Sequence, residues 1–190
     1  MKLSGSYQIN LSKEKVWEAL NNPEILKKAI PGCEEFTKNS DTEFTAKATN
    51  KIGPFNASFT GDVELKDLNP PNSYKITGSG NSPVGFASGE AFVKLEDNEQ
   101  GTKLIYEVEA NVGGKIAQVG SRLIDMTAKK MADIFFGKFS ELISVSDDTN
   151  KDSSSQQIDN SINKQSNTKS KIWMYSAIVA GALILAYLIF

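Results

Sequence analysis

The hydrophobic pattern of this chain changes its period once, at Gly113-Gly114, and that change limits the folds it can adopt. Between residues 33 and 112 apolar side chains mostly alternate with polar ones, as in strands that bury one face. After the two glycines, apolar residues recur every three or four positions from Ile116 to Leu142, which is typical of an amphipathic helix. The pattern therefore predicts consecutive strands followed by one long helix.

The first 32 residues predict one strand and two short helices. Residues 1–10 alternate as a strand does, and Ser12 is a favourable N-cap for the first helix. Pro23 stands where a second helix would begin, and Pro31-Gly32 ends it. Turn residues then separate the strand-like runs, about seven in all, by hairpin-length connections. The predicted class is α+β: a meandering antiparallel sheet with a final helix at residues 115–143, in one domain of residues 1–145.

The end of the chain predicts a membrane anchor. Residues 146–171 are polar and read as a disordered linker, whereas residues 172–190 contain no charged side chain. As a helix, the apolar stretch would be ~28 Å long, close to the ~30 Å hydrocarbon core of a bilayer. Lys171 precedes it and Trp173 lies in its first turn, as expected at the cytoplasmic interface. The alternative is a buried core helix.

Composition excludes several kinds of chemistry. The chain has no histidine and one cysteine, Cys33, so His-dependent triads, His-ligated metals and Cys-rich metal sites are excluded. Its net charge is −2, which argues against a nucleic-acid partner. Residues 1–10 are too polar for a signal peptide. We therefore expect a single-pass protein of the cell membrane, with its globular domain on the cytoplasmic side.

The order of one strand, two short helices, six strands and a long helix resembles the helix-grip fold of the START and SRPBCC superfamily. Several short motifs narrow the resemblance: Val16-Trp17-Glu18-Ala19-Leu20, Ile30-Pro31-Gly32-Cys33, Gly85-Phe86-Ala87-Ser88-Gly89, residues 112–122 (VGGKIAQVGSR) and Phe135-Phe136. With these motifs the chain resembles the CoxG family, also called the G subunit of carbon monoxide dehydrogenase, over residues 1–144. Members of this family often carry a variable linker and a C-terminal membrane helix.

The resemblance implies an accessory protein without enzymatic activity, beside a cytoplasmic molybdenum hydroxylase of the carbon monoxide dehydrogenase type. It also implies a curved sheet that wraps the last helix around an apolar cavity. Our hypothesis is that this cavity carries menaquinone or another isoprenoid lipid between the membrane and the enzyme. One alternative is a protein–protein tether that binds no ligand. The other is an enzyme of the polyketide-cyclase kind, which the absence of histidine disfavours.

Two groups of candidate site residues follow. The expected cavity wall consists of aromatic and apolar residues, which could equally be plain core: Phe86, Phe92, Tyr106, Met131, Phe135 and Phe139. The expected gate or partner contact consists of Gly113, Gly114, Gly120 and Arg122. The alternatives there are an ordinary turn for the glycines and a surface ion pair for the arginine. Glu90 could bind a head group or face solvent, and Cys33 could be a reactive thiol or a small buried side chain.

Overall fold

The structure is a computed structural model that describes residues 1–151, with side chains described for residues 1–144. Seven strands form one antiparallel sheet in the order β1-β7-β6-β5-β4-β3-β2. The strands are β1 (Lys2–Ile9), β2 (Cys33–Lys38), β3 (Glu43–Ile52), β4 (Phe55–Asn69), β5 (Ser73–Ser82), β6 (Gly85–Asn98) and β7 (Gly101–Gly113). The helices are α1 (Lys13–Leu20), α2 (Pro23–Ala29), a 3₁₀ helix (Lys115–Val119) and α3 (Ser121–Lys151). The predicted α+β class and strand count are confirmed.

Side-chain caps set the two short helices between β1 and β2. The Ser12 hydroxyl accepts a hydrogen bond from the Lys15 backbone N–H at the start of α1. The Asn22 side chain accepts from the backbone N–H groups of Glu24 and Ile25 at the start of α2, where Pro23 takes the first helical position. Each cap satisfies donors that the first helical turn leaves free, so the chain turns twice before it joins the sheet.

The long helix differs from the prediction in two ways. The single helix expected at residues 115–143 is divided by Gly120, whose φ of 90° interrupts the helical backbone. In addition, α3 extends to Lys151, six residues into the segment expected to be linker. Adding residues to an existing helix requires no new nucleation, so a polar segment can continue it.

The predicted membrane anchor at residues 172–190 lies outside the described residues, as does the linker beyond Lys151. Within residues 1–151, no helix is both long enough and apolar enough to cross a bilayer.

The core lies between one face of the sheet and the helices, and we call this region the interior. Alternate residues of the strands β3 to β7 point into it, while α3 contributes a buried stripe that includes Met131, Phe135, Phe136 and Phe139. α3 packs against α2 and β1. Burying one such aromatic side chain contributes roughly 1.5–3 kcal/mol, so the stripe is a large part of what holds α3 on the sheet.

A cluster of four residues joins α3 to the edge of the sheet, and we call it the Tyr7 cluster: Tyr7, Tyr106, Asp133 and Phe136. The Tyr7 hydroxyl donates a hydrogen bond to Asp133 Oδ1. The Tyr7 ring stacks on Phe136 at 4.0 Å between centroids, and the Tyr106 ring lies 5.7 Å from Phe136. Burial, followed by the hydrogen bond to Asp133, raises the pKa of Tyr7 far above its ordinary value of 10.0.

The raised pKa predicts a loss of stability in alkali. The folded state keeps Tyr7 neutral, so its contribution is complete below pH 10.0, the ordinary value. That contribution falls as the pH rises further, because only the unfolded chain then ionises. We expect Tyr7→Phe to lower the free energy of unfolding by about 1–3 kcal/mol at neutral pH, through loss of the bond to Asp133.

The difference between Tyr7→Phe and the wild type should shrink from about pH 8 to about pH 11. Urea unfolding of the full chain in detergent, followed across this range, measures it. Asp133→Asn serves as the control, since it weakens the same bond but leaves the titrating phenol in place. A difference in the free energy of unfolding between the wild type and Tyr7→Phe that stays constant across this pH range would contradict the account.

Candidate functional site

Four of the six residues expected to line a cavity lie in the interior. Tyr106, Met131, Phe135 and Phe139 are all buried. The rings of Phe135 and Phe139 stack at 5.7 Å between centroids, so these residues also pack against one another. The structure therefore brings this group together, and a role for it in ligand binding stays a prediction.

Phe86 and Phe92 lie elsewhere, which corrects their assignment to the cavity wall. They are 50% and 39% exposed, on the face of β6 that points away from the interior. The interior side of β6 is formed instead by alternate residues such as Ala91 and Val93. Both faces of β6 carry apolar residues: the aromatic residues stand on one face and the aliphatic residues on the other. The sequence pattern therefore does not tell which face is buried. Hydrophobicity alone therefore selected the wrong face.

The interior contains one polar group without a partner among the described residues, the hydroxyl of Tyr74. Tyr74 is 1% exposed, in β5, and its ring meets Trp17 of α1 edge-on at 5.3 Å between centroids. Within residues 1–144, its hydroxyl is the one buried side-chain oxygen or nitrogen that makes no hydrogen bond. Burial raises the pKa of Tyr74 well above its ordinary value, so the group is a neutral phenol.

The Tyr74 hydroxyl is unusual because buried polar groups are nearly always paired, and an unpaired one costs roughly 1–3 kcal/mol. The two buried polar residues of the described chain follow the rule. The Asn21 amide donates to the Trp17 carbonyl, and the Thr102 hydroxyl donates to the Leu11 carbonyl. Sequence analysis missed Tyr74 as a site residue. The one available signal was a tyrosine on the apolar side of an alternating strand, beside Ile76.

The residues expected to form a gate lie at one end of the sheet, which we call the 3₁₀ end. Gly113 ends β7 with the Phe86 ring against it. Gly114 has a φ of 85°, and a Cβ there would lie 2.6 Å from Gly85 Cα, so this close approach of two backbones requires glycine. Gly120 has nothing within 4 Å of its Cβ position, and Arg122 is exposed in the first turn of α3.

Two concavities lie on the outer face of the sheet, the first mainly polar and the second lined by both apolar and charged side chains. One, of about 570 Å³, lies among residues that include Asp62, Ser79 and Ser88. The other, of about 440 Å³, lies beside Phe92 and Glu90. Glu90 is exposed and faces outward, in agreement with the interpretation that it faces solvent. Neither concavity is the space between sheet and α3, so neither is the expected cavity.

The described residues offer little for acid–base or metal chemistry. No group of three or more His, Cys, Asp or Glu side chains among them could hold a metal ion. Cys33 is half-buried, its Sγ lies 3.5 Å from the Glu35 carbonyl, and burial raises the pKa of its thiol. A raised pKa makes a thiol less reactive at neutral pH.

Comparison with known proteins identifies the family. The family model for the G subunit of carbon monoxide dehydrogenase (CoxG) matches residues 5–144, whereas no curated protein matches the chain. A conserved protein from Geobacillus kaustophilus, known from a crystal structure, is 31% identical with a TM-score of 0.73, over 77% of this chain and 97% of that one.

Two more distant structures share the fold. A protein from Thermus thermophilus is 12% identical with a TM-score of 0.60, over 77% of this chain and 99% of that one. A protein from Rhizobium leguminosarum is 14% identical with a TM-score of 0.57, over 76% and 94%. The residues matched by the family model and the seven-stranded sheet closed by a long helix agree, and the chain therefore belongs to the CoxG family of helix-grip, START-like proteins.

Proposed function

We propose that this protein is an accessory subunit that carries an apolar ligand with a polar head, such as menaquinone, in its interior. Residues 172–190 would tether it to the membrane, and it would deliver the ligand to a cytoplasmic molybdenum hydroxylase of the carbon monoxide dehydrogenase type. Membership of the CoxG family supports an accessory role. The single observation that carries the ligand proposal is the unpaired hydroxyl of Tyr74 in an apolar interior.

The energetics of transfer explain why such a hydroxyl matters. An isoprenoid tail gains about 0.8 kcal/mol per CH₂-sized unit on leaving water. It gains almost nothing on leaving lipid, where its surroundings are equally apolar. A protein that takes a ligand from a bilayer must therefore add a polar contact, and a buried phenol can donate a hydrogen bond to a quinone carbonyl. The same bond would satisfy the Tyr74 hydroxyl.

The position of Tyr74 fits a ligand that is held head inward. Tyr74 lies one residue after the start of β5, whereas Ser82 ends β5 beside the 3₁₀ end. Eight residues of strand separate them by roughly 26 Å. A head group at Tyr74 would leave the tail to run along α3 toward the 3₁₀ end, past the buried aromatic residues of the interior. Access would require α3 or the turns at that end to move, because the aromatic side chains pack together.

The tether supplies the short path that transfer needs. Beyond Lys151, 20 residues of polar sequence precede the apolar stretch. As a flexible coil they would span about 25 Å on average, and up to ~70 Å when extended. The domain would thus stay within reach of the bilayer and of an enzyme near it, at high effective concentration.

A second function is a tether that recruits the enzyme and binds no ligand. The observation that favours it is the packing of Tyr106, Phe135, Phe136 and Phe139, which fills space that a ligand would occupy. An enzyme of the polyketide-cyclase kind is disfavoured, because the buried polar side chains Asn21 and Thr102 each donate to a backbone carbonyl.

Ligand binding can be read from Trp17, which contacts Tyr74. The full chain carrying Trp173→Phe keeps Trp17 as its one tryptophan. We expect menaquinone added in detergent to quench the Trp17 fluorescence saturably, with a stoichiometry of one. Mass spectrometry of the purified wild type should detect a co-purifying isoprenoid quinone or lipid. A chain that is empty and is not quenched, yet still captures a molybdenum hydroxylase, would refute the carrier and leave the tether.

Two tyrosine variants form a matched pair. Tyr74→Phe removes an unpaired hydroxyl, so the ligand-free chain should be equally stable or up to about 3 kcal/mol more stable. Its affinity for menaquinone should fall about tenfold, the effect of losing one hydrogen bond. Tyr106→Phe removes a hydroxyl that interacts with Tyr7, and it should destabilise the chain.

Urea unfolding and quenching of Trp17, both on the full chain in detergent, measure these effects. A Tyr74→Phe chain that is clearly less stable without ligand would contradict the unpaired hydroxyl. Unchanged affinity in that variant would show that the head group binds elsewhere.

A further inference from the structure

The outward side of α3 carries an apolar stripe that the interior does not use. Among the described residues five large hydrophobic side chains are exposed, and three of them lie on α3: Leu123, Met126 and Ile134. Met126 is the most exposed, at 61%. Leu123 is the least exposed of the three, because it also lies against the β3–β4 turn at Gly53. Leu123 and Ile134 are eleven residues apart, or ~16 Å along the helix, so the stripe extends over three turns.

Cations surround this stripe. Residues three and four apart are neighbours on a helix surface. Arg122, Lys129 and Lys130 stand at these distances from Met126, and Lys130 also precedes Ile134 by four. All three cations are exposed, and none forms an ion pair with a carboxylate of residues 1–144.

The charge of this region differs from that of the rest of the domain. Residues 122–134, which carry the stripe, contain three cations and two carboxylates, a net charge of +1, whereas the whole chain has −2, and one of the two carboxylates, Asp133, accepts a hydrogen bond from Tyr7. On the outer face of the sheet, by contrast, lysines are paired with carboxylates, as in Lys2–Glu109, Lys66–Glu64 and Lys75–Asp67. Arg122, Lys129 and Lys130 thus place positive charge without a carboxylate partner in residues 1–144 beside the exposed apolar side chains.

From these observations we propose that α3 docks along its outward side onto an anionic phospholipid bilayer. Leu123, Met126 and Ile134 would enter the boundary between head groups and acyl chains, while Arg122, Lys129 and Lys130 contact lipid phosphates. This is the arrangement of an interfacial amphipathic helix. Charge complementarity selects a bilayer over a second copy of this chain, whose matching surface would be equally positive.

Docking gives the tethered domain a defined orientation. The same helix that closes the interior would lie on the bilayer, with the 3₁₀ end beside the lipid. About 38 Å of α3 separates Met126 from Lys151, and 20 residues of linker can extend to ~70 Å, so the tether permits this pose. The surface contacts can be weak, because the tether keeps the domain near the membrane.

The test uses the full chain with Cys33→Ser, which removes the sole cysteine, and a fluorescent NBD label on Met126→Cys. The matched control carries the label on Glu99→Cys, in the exposed β6–β7 turn at the opposite end of the sheet. Each protein is reconstituted into vesicles of phosphatidylglycerol with phosphatidylcholine, or of phosphatidylcholine alone. Emission and quenching by spin labels on the lipid chains report whether the probe reaches the bilayer.

We expect the label at residue 126 to shift to the blue and to be quenched in the anionic vesicles, and the label at residue 99 to stay aqueous in both. Lys129→Glu with Lys130→Glu should abolish the shift, since each cation contributes about fivefold to binding an anionic surface. High salt should act in the same direction.

Three results would overturn the proposal. The first is an aqueous signal from the label at residue 126 in anionic vesicles, and the second is an equal blue shift in both kinds of vesicle. The third is a blue shift of this label in the absence of lipid that increases with protein concentration. The last would indicate self-association. None of these readouts depends on a bound ligand, so docking can fail while ligand transport stands, and the reverse.

Discussion

The structure depends on burying one aromatic stripe of α3 against the inner face of the sheet. Phe135, Phe136 and Phe139 are each at most 1% exposed, and Phe136 packs against Tyr7 of β1 and Tyr106 of β7, the first and last strands of the domain. Without this helix the inner face of the sheet would be an apolar surface in water. The packing that closes the domain also occupies the region where a ligand would bind, so stability and binding compete for one space.

Much of this fold could be predicted from the sequence, because the change of hydrophobic period at Gly113-Gly114 is a local signal. The caps at Ser12 and Asn22 are local as well. The facing of β6 could not be predicted in the same way, since its two faces differ by one residue of register and both carry apolar side chains. Tyr74 could not be recognised either, because an unpaired hydroxyl is defined by what surrounds it in space.

The two sides of α3 have different chemistry. The inward side is aromatic and closes the interior, while the outward side combines exposed Met126 with cations that have no carboxylate partner in residues 1–144. A force on the outward side would act directly on the element that blocks the interior. In the account proposed above, contact with the membrane and opening of the interior would thus involve the same helix, and the Tyr7 cluster would hold it closed away from the bilayer.

The most direct test of the central claim is to map where a ligand head sits. A menaquinone analogue with a photoreactive diazirine on its ring would be cross-linked to the full chain in vesicles, and the labelled peptides identified by mass spectrometry. The account predicts cross-links within the interior beside Tyr74, on Trp17 or on Val93, which pairs with Tyr74 across the sheet. Cross-links confined to the outer face around Phe92, or none in residues 1–144, would contradict it.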